Sequence, residues 1–73
     1  MRGKIPSYWR HRRDGDVVVV RDNFVCFFEN RNVSHYEFVP VGVEEDFEPF
    51  IWPVSRFEGQ YREISALEAL ASV

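Results

Sequence analysis

The side chains in this sequence that could do chemistry are a single cysteine, two histidines and a short run of carboxylates. Nucleophilic catalysis needs a nucleophile beside a base that a third group holds in place. Cys26 lies between Val25 and Phe27 in an apolar stretch, whereas reactive cysteines occupy exposed, electropositive surroundings. His11 lies among arginines and has no evident role as a base. The sequence therefore predicts a buried, inert thiol and no nucleophilic centre.

Metal binding is the second chemistry that these residue types could support. His35 and Glu37 alternate on one face of a predicted strand, which offers two ligands where a structural zinc site uses four. The acidic run from Glu44 to Glu48 does not match the spacing of a calcium-binding loop. The four glycines are spread along the chain and do not form a phosphate-binding loop. We expect a surface His–Glu pair, a solvated acidic loop, no metal, no cofactor and no enzymatic activity.

Nucleic-acid binding is suggested by residues 8–13, where Tyr8 and Trp9 precede a histidine and three arginines. Aromatic rings can stack on bases while cations contact phosphates. Charge is divided unevenly, because residues 1–14 hold five basic residues and one acid, whereas the remainder holds four basic residues and eleven acids. A nucleic-acid-binding domain usually presents a basic face on its folded body. Two interpretations stay open: a basic arm that binds a partner, and a basic arm that is simply solvated.

The elements that must position these residues belong to one small domain of 73 residues. A composition of 45% hydrophobic and 16% aromatic residues excludes a disordered polyelectrolyte. One cysteine excludes an internal disulfide and agrees with a reducing compartment. No run approaches the roughly 20 apolar residues of a membrane-spanning helix, and no signal peptide is evident. We expect a cytoplasmic protein whose domain, residues 15–73, follows a basic aromatic arm, residues 1–14.

Strand patterns dominate the first half of that domain. Four successive valines in residues 16–21 predict a strand, Asp22-Asn23 predicts a turn, and residues 24–29 predict a second strand. A two-residue turn would pair Val20 with Val25. Over residues 33–39, Ser34, Tyr36 and Phe38 would lie on one face of a strand and His35 and Glu37 on the other. This alternation predicts a third antiparallel strand.

The second half of the chain gives weaker signals. Phe50 to Pro53, flanked by prolines, predicts an edge strand or a segment that caps the core, and residues 57–64 predict a further strand. Ser65 and Glu68 match a capping box that begins a short helix, whose leucines we expect to dock on the sheet. The predicted fold class is α+β, mainly β: an antiparallel sheet of three to four strands, a short C-terminal helix and a flexible basic N-terminal arm.

Of the function classes considered, protein binding best explains the aromatic and basic residues, because interfaces are enriched in tyrosine, tryptophan, phenylalanine and arginine. The arm holds Tyr8, Trp9 and Arg10, and the acidic stretch from Glu44 to Trp52 holds large rings inside a negative rim. Burial in the core is the competing interpretation of those rings, and for Phe47 the two interpretations balance.

The nine residues from Met1 to Trp9, followed by a small acidic β-rich body, resemble small phage-encoded transcription regulators that bind host RNA polymerase, such as that of a Xanthomonas phage. The resemblance implies an inhibitor of sigma-dependent initiation in the host bacterial cytoplasm, which contacts the N-terminal region of the β′ subunit and promotes antitermination. The chain itself is expected to be a monomer. The alternatives are a phage or plasmid protein that binds nucleic acid through its arm and an acidic inhibitor of a host nuclease. The residues expected to contact polymerase are Lys4, Ile5, Ser7, Tyr8, Trp9, Arg10, Glu44, Glu45, Asp46 and Phe47.

Overall fold

A computed structural model describes residues 5–71 as one antiparallel five-stranded sheet with two short helices. This confirms the mainly β, α+β fold class, with five strands where three to four were predicted. The elements are β1 (Ser7–His11), β2 (Val17–Phe28), β3 (Arg31–Pro40), β4 (Phe50–Pro53), α1 (Val54–Gln60), β5 (Tyr61–Ile64) and α2 (Ala66–Ala71). The sheet order is β4-β3-β2-β1-β5, so the first strand in sequence lies inside the sheet.

The prediction of a flexible arm is wrong over residues 7–11, because β1 pairs with β2 along one edge and with β5 along the other. Trp9 is only 8% exposed, and its indole nitrogen donates to the Ser7 hydroxyl oxygen at 2.9 Å. A five-residue strand that contains an arginine and a histidine is too short for its alternation to stand out, but burial of its one indole favours the strand. The expected boundary after residue 14 falls in the turn between β1 and β2, and residues 1–4, with Lys4, lie outside the described residues.

The predicted turn at Asp22-Asn23 is also wrong, because β2 continues through it to Phe28. A bulge between Val20 and Asp22 shifts the register by one residue instead. The chain reverses at Glu29 and Asn30, whose φ angles of 50° and 65° suit the two-residue hairpin loop that matches strand twist. The turn therefore pairs Phe28 with Arg31, and Val20 faces Phe38 rather than Val25.

The third predicted strand is confirmed as β3, and the Phe50–Pro53 segment is an edge strand paired with β3. The prediction of strand over residues 57–64 holds only for β5, because α1 occupies residues 54–60. The physical reason lies in Phe57, which is fully buried and can reach the centre of the core from one helical face.

The core lies between α1 and the sheet face that α1 covers. Phe57 stacks on Tyr61 with ring centroids 4.6 Å apart, and lies 4.8 Å from Phe38 and 5.0 Å from Trp9. Tyr36 meets Phe57 edge to face at 5.3 Å. Such ring pairs add about 0.5–1.5 kcal/mol each beyond the burial of their area. Phe57 is therefore the residue on which the aromatic core converges.

The helix α2 covers part of the opposite face and begins as predicted. The Ser65 hydroxyl accepts the backbone N–H of Glu68 at 3.0 Å, which confirms the Ser65 cap. The expected docking of Leu67 and Leu70 is wrong, because these side chains are 78% and 65% exposed. Ala69 is buried instead, since a small side chain lets α2 approach β1 closely. The Glu68 carboxylate on the same helix forms ion pairs with Arg10 of β1 and Arg62 of β5.

Replacing Ser65 with alanine is expected to lower the free energy of unfolding by about 1 kcal/mol, because a backbone N–H at the start of α2 loses its acceptor. Urea unfolding followed by tryptophan fluorescence measures the change. The control is Ser55→Ala, an exposed serine within α1, which should leave stability within about 0.5 kcal/mol of the wild type. Equal destabilisation by both substitutions would contradict the capping role.

Candidate functional site

The two ends of the sheet differ in character. The loop end comprises the β1–β2 turn, residues 12–16, the β3–β4 loop, residues 41–49, and Phe50 at the start of β4. In the β3–β4 loop the Val41 N–H donates to the Val17 carbonyl at 3.1 Å. The finger, residues 23–34, is the part of the β2–β3 hairpin that lies beyond the bulge. Residues 35–40 of β3 separate the finger from the loop end by about 20 Å. The candidate binding features of the sequence fall mostly at the loop end.

The β3–β4 loop and the first residue of β4 present two aromatic rings within a rim of carboxylates. Phe47 and Phe50 are 37% and 45% exposed, and their ring centroids lie 6.1 Å apart. Phe50 in turn lies 5.5 Å from Phe38, which is buried in the core. The Phe47 N–H donates to the Glu44 carbonyl at 3.0 Å, which folds the loop back on itself. The exposed carboxylate side chains around this pair are Glu44, Glu45, Asp46 and Glu48.

Contact with a partner and burial in the core, the two interpretations of these aromatic residues, are thus both partly right. Phe47 and Phe50 lie at the surface, yet a continuous series of ring contacts fixes them to the core through Phe38. Trp52 is half-buried, with the Arg56 guanidinium 4.1 Å from its ring centroid. The surface rings are consequently held in place before any partner arrives.

A cleft of about 500 Å³ lies beside this loop, and of the sequence-predicted site residues that the structure describes, Arg10 alone lines it. Arg10 and Asp16 line it together with Val41, Phe50 and Tyr61. The Arg10 guanidinium donates to the Gly15 carbonyl at 3.1 Å and lies 3.5 Å from the Glu68 carboxylate. The same carboxylate lies 3.6 Å from Arg62. Arg10 therefore lines the cleft in an orientation fixed by two partners.

The remaining predicted contacts on the basic segment are dispersed. Ile5 is exposed just before β1, Ser7 accepts the Trp9 indole N–H, and Trp9 itself lies in the core. Tyr8 is half-buried and pairs with Val19 and with Ile64 across the neighbouring strands. Of the described residues in this segment, the structure brings only Arg10 to the cleft beside the acidic loop.

A basic turn forms the other side of the loop end. The His11 Nδ1 atom accepts the backbone N–H groups of Arg13 at 3.2 Å and Asp14 at 3.1 Å. This leaves Nε2 to donate to the Gln60 side-chain oxygen at 3.4 Å. The Arg12 guanidinium donates to the Glu58 carbonyl at 3.1 Å. The histidine is therefore a structural acceptor that shapes the turn, and the exposed Arg12 and Arg13 side chains flank it.

The predicted His–Glu pair makes separate contacts. His35 Nδ1 lies 3.0 Å from the Val33 carbonyl oxygen, and the Glu37 carboxylate accepts from Arg21 at 3.4 Å. Among residues 5–71, no three His, Cys, Asp or Glu side chains cluster closely enough to hold a metal ion. Cys26 is half-buried on the finger rather than buried, because neither β1 nor β4 reaches that part of the hairpin.

Sequence reasoning missed the exposure of the finger. Val25, Phe27 and Phe28 were expected to pack in the sheet, but they are 59%, 72% and 58% exposed. The signal that could have found them is the run from Phe24 to Phe28, which is apolar at every position instead of at alternate positions. A strand that is apolar on both faces needs cover on both faces.

The pKa of the Tyr61 hydroxyl is affected by two carboxylates of the loop end. Burial raises its pKa above the usual value, and the negative charges of Asp16 and Asp14 raise it further. Because the pKa of Tyr61 is higher in the folded than in the unfolded chain, the protonated hydroxyl contributes to the stability of the fold. That contribution is complete below pH 10 and is lost as the pH rises through the folded-state pKa.

We accordingly expect the free energy of unfolding to fall as the pH is raised above about 10. Urea titrations at pH 9, 10 and 11 measure the fall. Tyr61→Phe should reduce the slope. An unchanged slope in Tyr61→Phe would assign the alkaline transition to another group.

None of the helices in the described part of the chain is long and apolar enough to cross a membrane. Comparison of the chain with protein-family models, with curated proteins and with solved structures found no match.

Proposed function

We propose that this protein is a non-enzymatic phage regulator that binds host RNA polymerase through the loop end and inhibits sigma-dependent initiation. One observation carries the protein-binding part of the proposal: the exposed Phe47–Phe50 pair, fixed to the core and surrounded by carboxylates. The choice of polymerase, with the β′ N-terminal region as the contact and antitermination as a second effect, rests on the resemblance of residues 1–9 and the acidic body to small phage regulators.

The loop end has the anatomy of a protein-binding surface. Hot spots are aromatic side chains that enter a desolvated pocket, surrounded by polar residues that exclude water. Phe47 and Phe50 supply the anchors, and the cleft beside them supplies a concave surface next to Arg10. Because ring contacts already hold Phe50, little side-chain entropy is lost on binding.

Charge favours a basic partner surface at this loop. Four carboxylates within five residues would attract a segment rich in lysine and arginine and accelerate encounter. The same carboxylates would repel the phosphates of a nucleic acid. Polymerase and sigma factor present clustered charges to each other, so a small acidic protein with an aromatic anchor can compete for one of those surfaces.

The alternative function, direct binding of nucleic acid, would use Arg12 and Arg13 on the basic turn. Base stacking needs exposed rings. Trp9 is buried and Tyr8 is half-buried, so the turn supplies cations without the expected stacking platform. This supports the protein-binding proposal over the alternative.

The test is capture of purified host RNA polymerase by the tagged full chain, alongside titration with duplex and single-stranded DNA at two salt concentrations. We expect capture of polymerase. Binding carried by phosphate contacts would instead appear with DNA at low salt and weaken steeply as salt rises. Failure to retain polymerase would contradict the proposal, and retention only through DNA would favour the alternative.

A further inference from the structure

The finger is a two-stranded projection whose outer edge is open. Strand β1 pairs with β2 only up to Val20, and β4 pairs with β3 only from His35 onward. Among residues 5–71, no strand pairs with the outer edge of β2 over residues 22–28. The main-chain N–H and C=O groups along this edge can therefore pair with another strand.

Side chains on this edge are apolar on both faces of the hairpin. The ladder places Val25 and Phe27 on one face and Phe24, Cys26 and Phe28 on the other. No charged residue interrupts the run between Asp22 and Glu29. Natural proteins usually block an open edge with lysine, proline or a covering element, and residues 23–28 contain none of these blocking residues. An edge of this kind calls for a partner strand that is itself apolar on both faces.

We propose that the partner is a second copy of this chain, joined finger to finger through antiparallel pairing of the two β2 edges. Residues 24–28 of two copies are nearly self-complementary when they pair in antiparallel orientation with Cys26 at the centre. Cys26 then faces Cys26 of the other copy, Val25 faces Phe27, and Phe24 faces Phe28, so no charged residues oppose each other. A twofold interface requires this property, because each contact occurs twice with the partners exchanged.

The exposed area fits a weak dimer. With about 200 Å² for a phenylalanine side chain, the exposed fractions of Phe27 and Phe28 amount to about 250 Å² per copy and about 500 Å² per pair. Val25 and the main chain add to this, while a specific interface needs roughly 1,000 Å² in total. The finger dimer therefore forms and dissociates with concentration, and it leaves the loop end, about 20 Å from the finger, free.

Sedimentation of the full chain from dilute to near-millimolar concentration tests the proposal. The mass should rise from about 8.7 kDa toward twice that value. Val25→Lys, which places a charge on the paired edge, should remain a monomer throughout. The matched control is Leu67→Lys on α2, where a still more exposed apolar side chain is replaced and dimerisation should persist. Circular dichroism verifies that both variants are folded.

Disulfide trapping tests the register. Directly opposed residues of antiparallel strands have Cβ atoms about 4.5–5.5 Å apart, close to the spacing of a disulfide. Diamide should accept the two electrons and two protons released as the Cys26 thiols of two copies join, giving a covalent dimer. The double variant Cys26→Ser, Phe28→Cys keeps one thiol in the finger but opposes it to Phe24, so it should yield far less dimer.

A wild-type chain that stays monomeric at every concentration would overturn the dimer, as would equal loss of dimer in Val25→Lys and Leu67→Lys. Polymerase capture by Val25→Lys separates this inference from the proposed function. Unchanged capture is expected, because the finger lies away from the loop end. A monomeric wild type whose Val25→Lys variant no longer captures polymerase would assign the finger to the polymerase contact and overturn self-pairing.

Discussion

Replacement of Phe57 by alanine is expected to leave the chain largely unfolded at room temperature. The side chain is fully buried and touches Trp9, Tyr36, Phe38 and Tyr61. Truncation of a buried phenylalanine costs about 3–5 kcal/mol, which equals the roughly 3–5 kcal/mol that a core of this size supplies. Urea unfolding monitored by tryptophan fluorescence measures the loss, because Trp9 and Trp52 both adjoin Phe57.

The control for that experiment is Leu67→Ala, which removes an exposed apolar side chain from α2. Its stability should stay within about 0.5 kcal/mol of the wild type. A Phe57→Ala protein that unfolds at the same urea concentration as this control would contradict the assignment of Phe57 to the centre of the core.

The second large effect concerns polymerase binding at the loop end. The double substitution Phe47→Ala, Phe50→Ala should weaken affinity for purified host RNA polymerase about 30-fold or more, because loss of a hot-spot anchor costs about 2 kcal/mol or more. Equilibrium binding of a fluorescently labelled chain measures the ratio. Both rings are partly exposed, so the substitution should spare the fold, and circular dichroism verifies this.

Ile51→Ala is the matched control for the anchors. Ile51 lies next to Phe50 on β4, is 52% exposed, and pairs with Glu37 rather than with Phe38. It therefore projects from the other face of the sheet, and its truncation should change affinity less than threefold. Equal losses in the control and in the double variant would remove the aromatic pair from the proposed interface.

The parts of the fold that were predictable are those in which local signals agree with tertiary packing. Alternation over residues 33–39 matched β3, and Ser65 with Glu68 marked the start of α2. The failures have physical causes that no local window contains. Strand β2 runs through the predicted Asp22-Asn23 turn with only a bulge at Arg21. Strand β1 forms because it pairs with two strands that come later in the chain.

The candidate site was predictable in composition and only partly in arrangement. The acidic loop and Phe47 are exposed, as a binding loop requires. The arm residues, by contrast, were predicted from an aromatic-basic pattern, and that pattern also fits a strand whose indole enters the core and a following turn whose arginines are exposed. Arg10 reaches the cleft because Gly15 and Glu68 hold it there, which depends on a turn and on a helix 58 residues away.

Titration of purified host RNA polymerase with the labelled full chain, in the presence and absence of sigma factor, tests the central claim most directly. We predict saturable binding in the absence of DNA, displacement by excess sigma factor, and a large loss of affinity in the Phe47→Ala, Phe50→Ala chain. No saturable binding to polymerase, or equal affinity of the wild type and the double variant, would contradict the proposal that the loop end binds this enzyme.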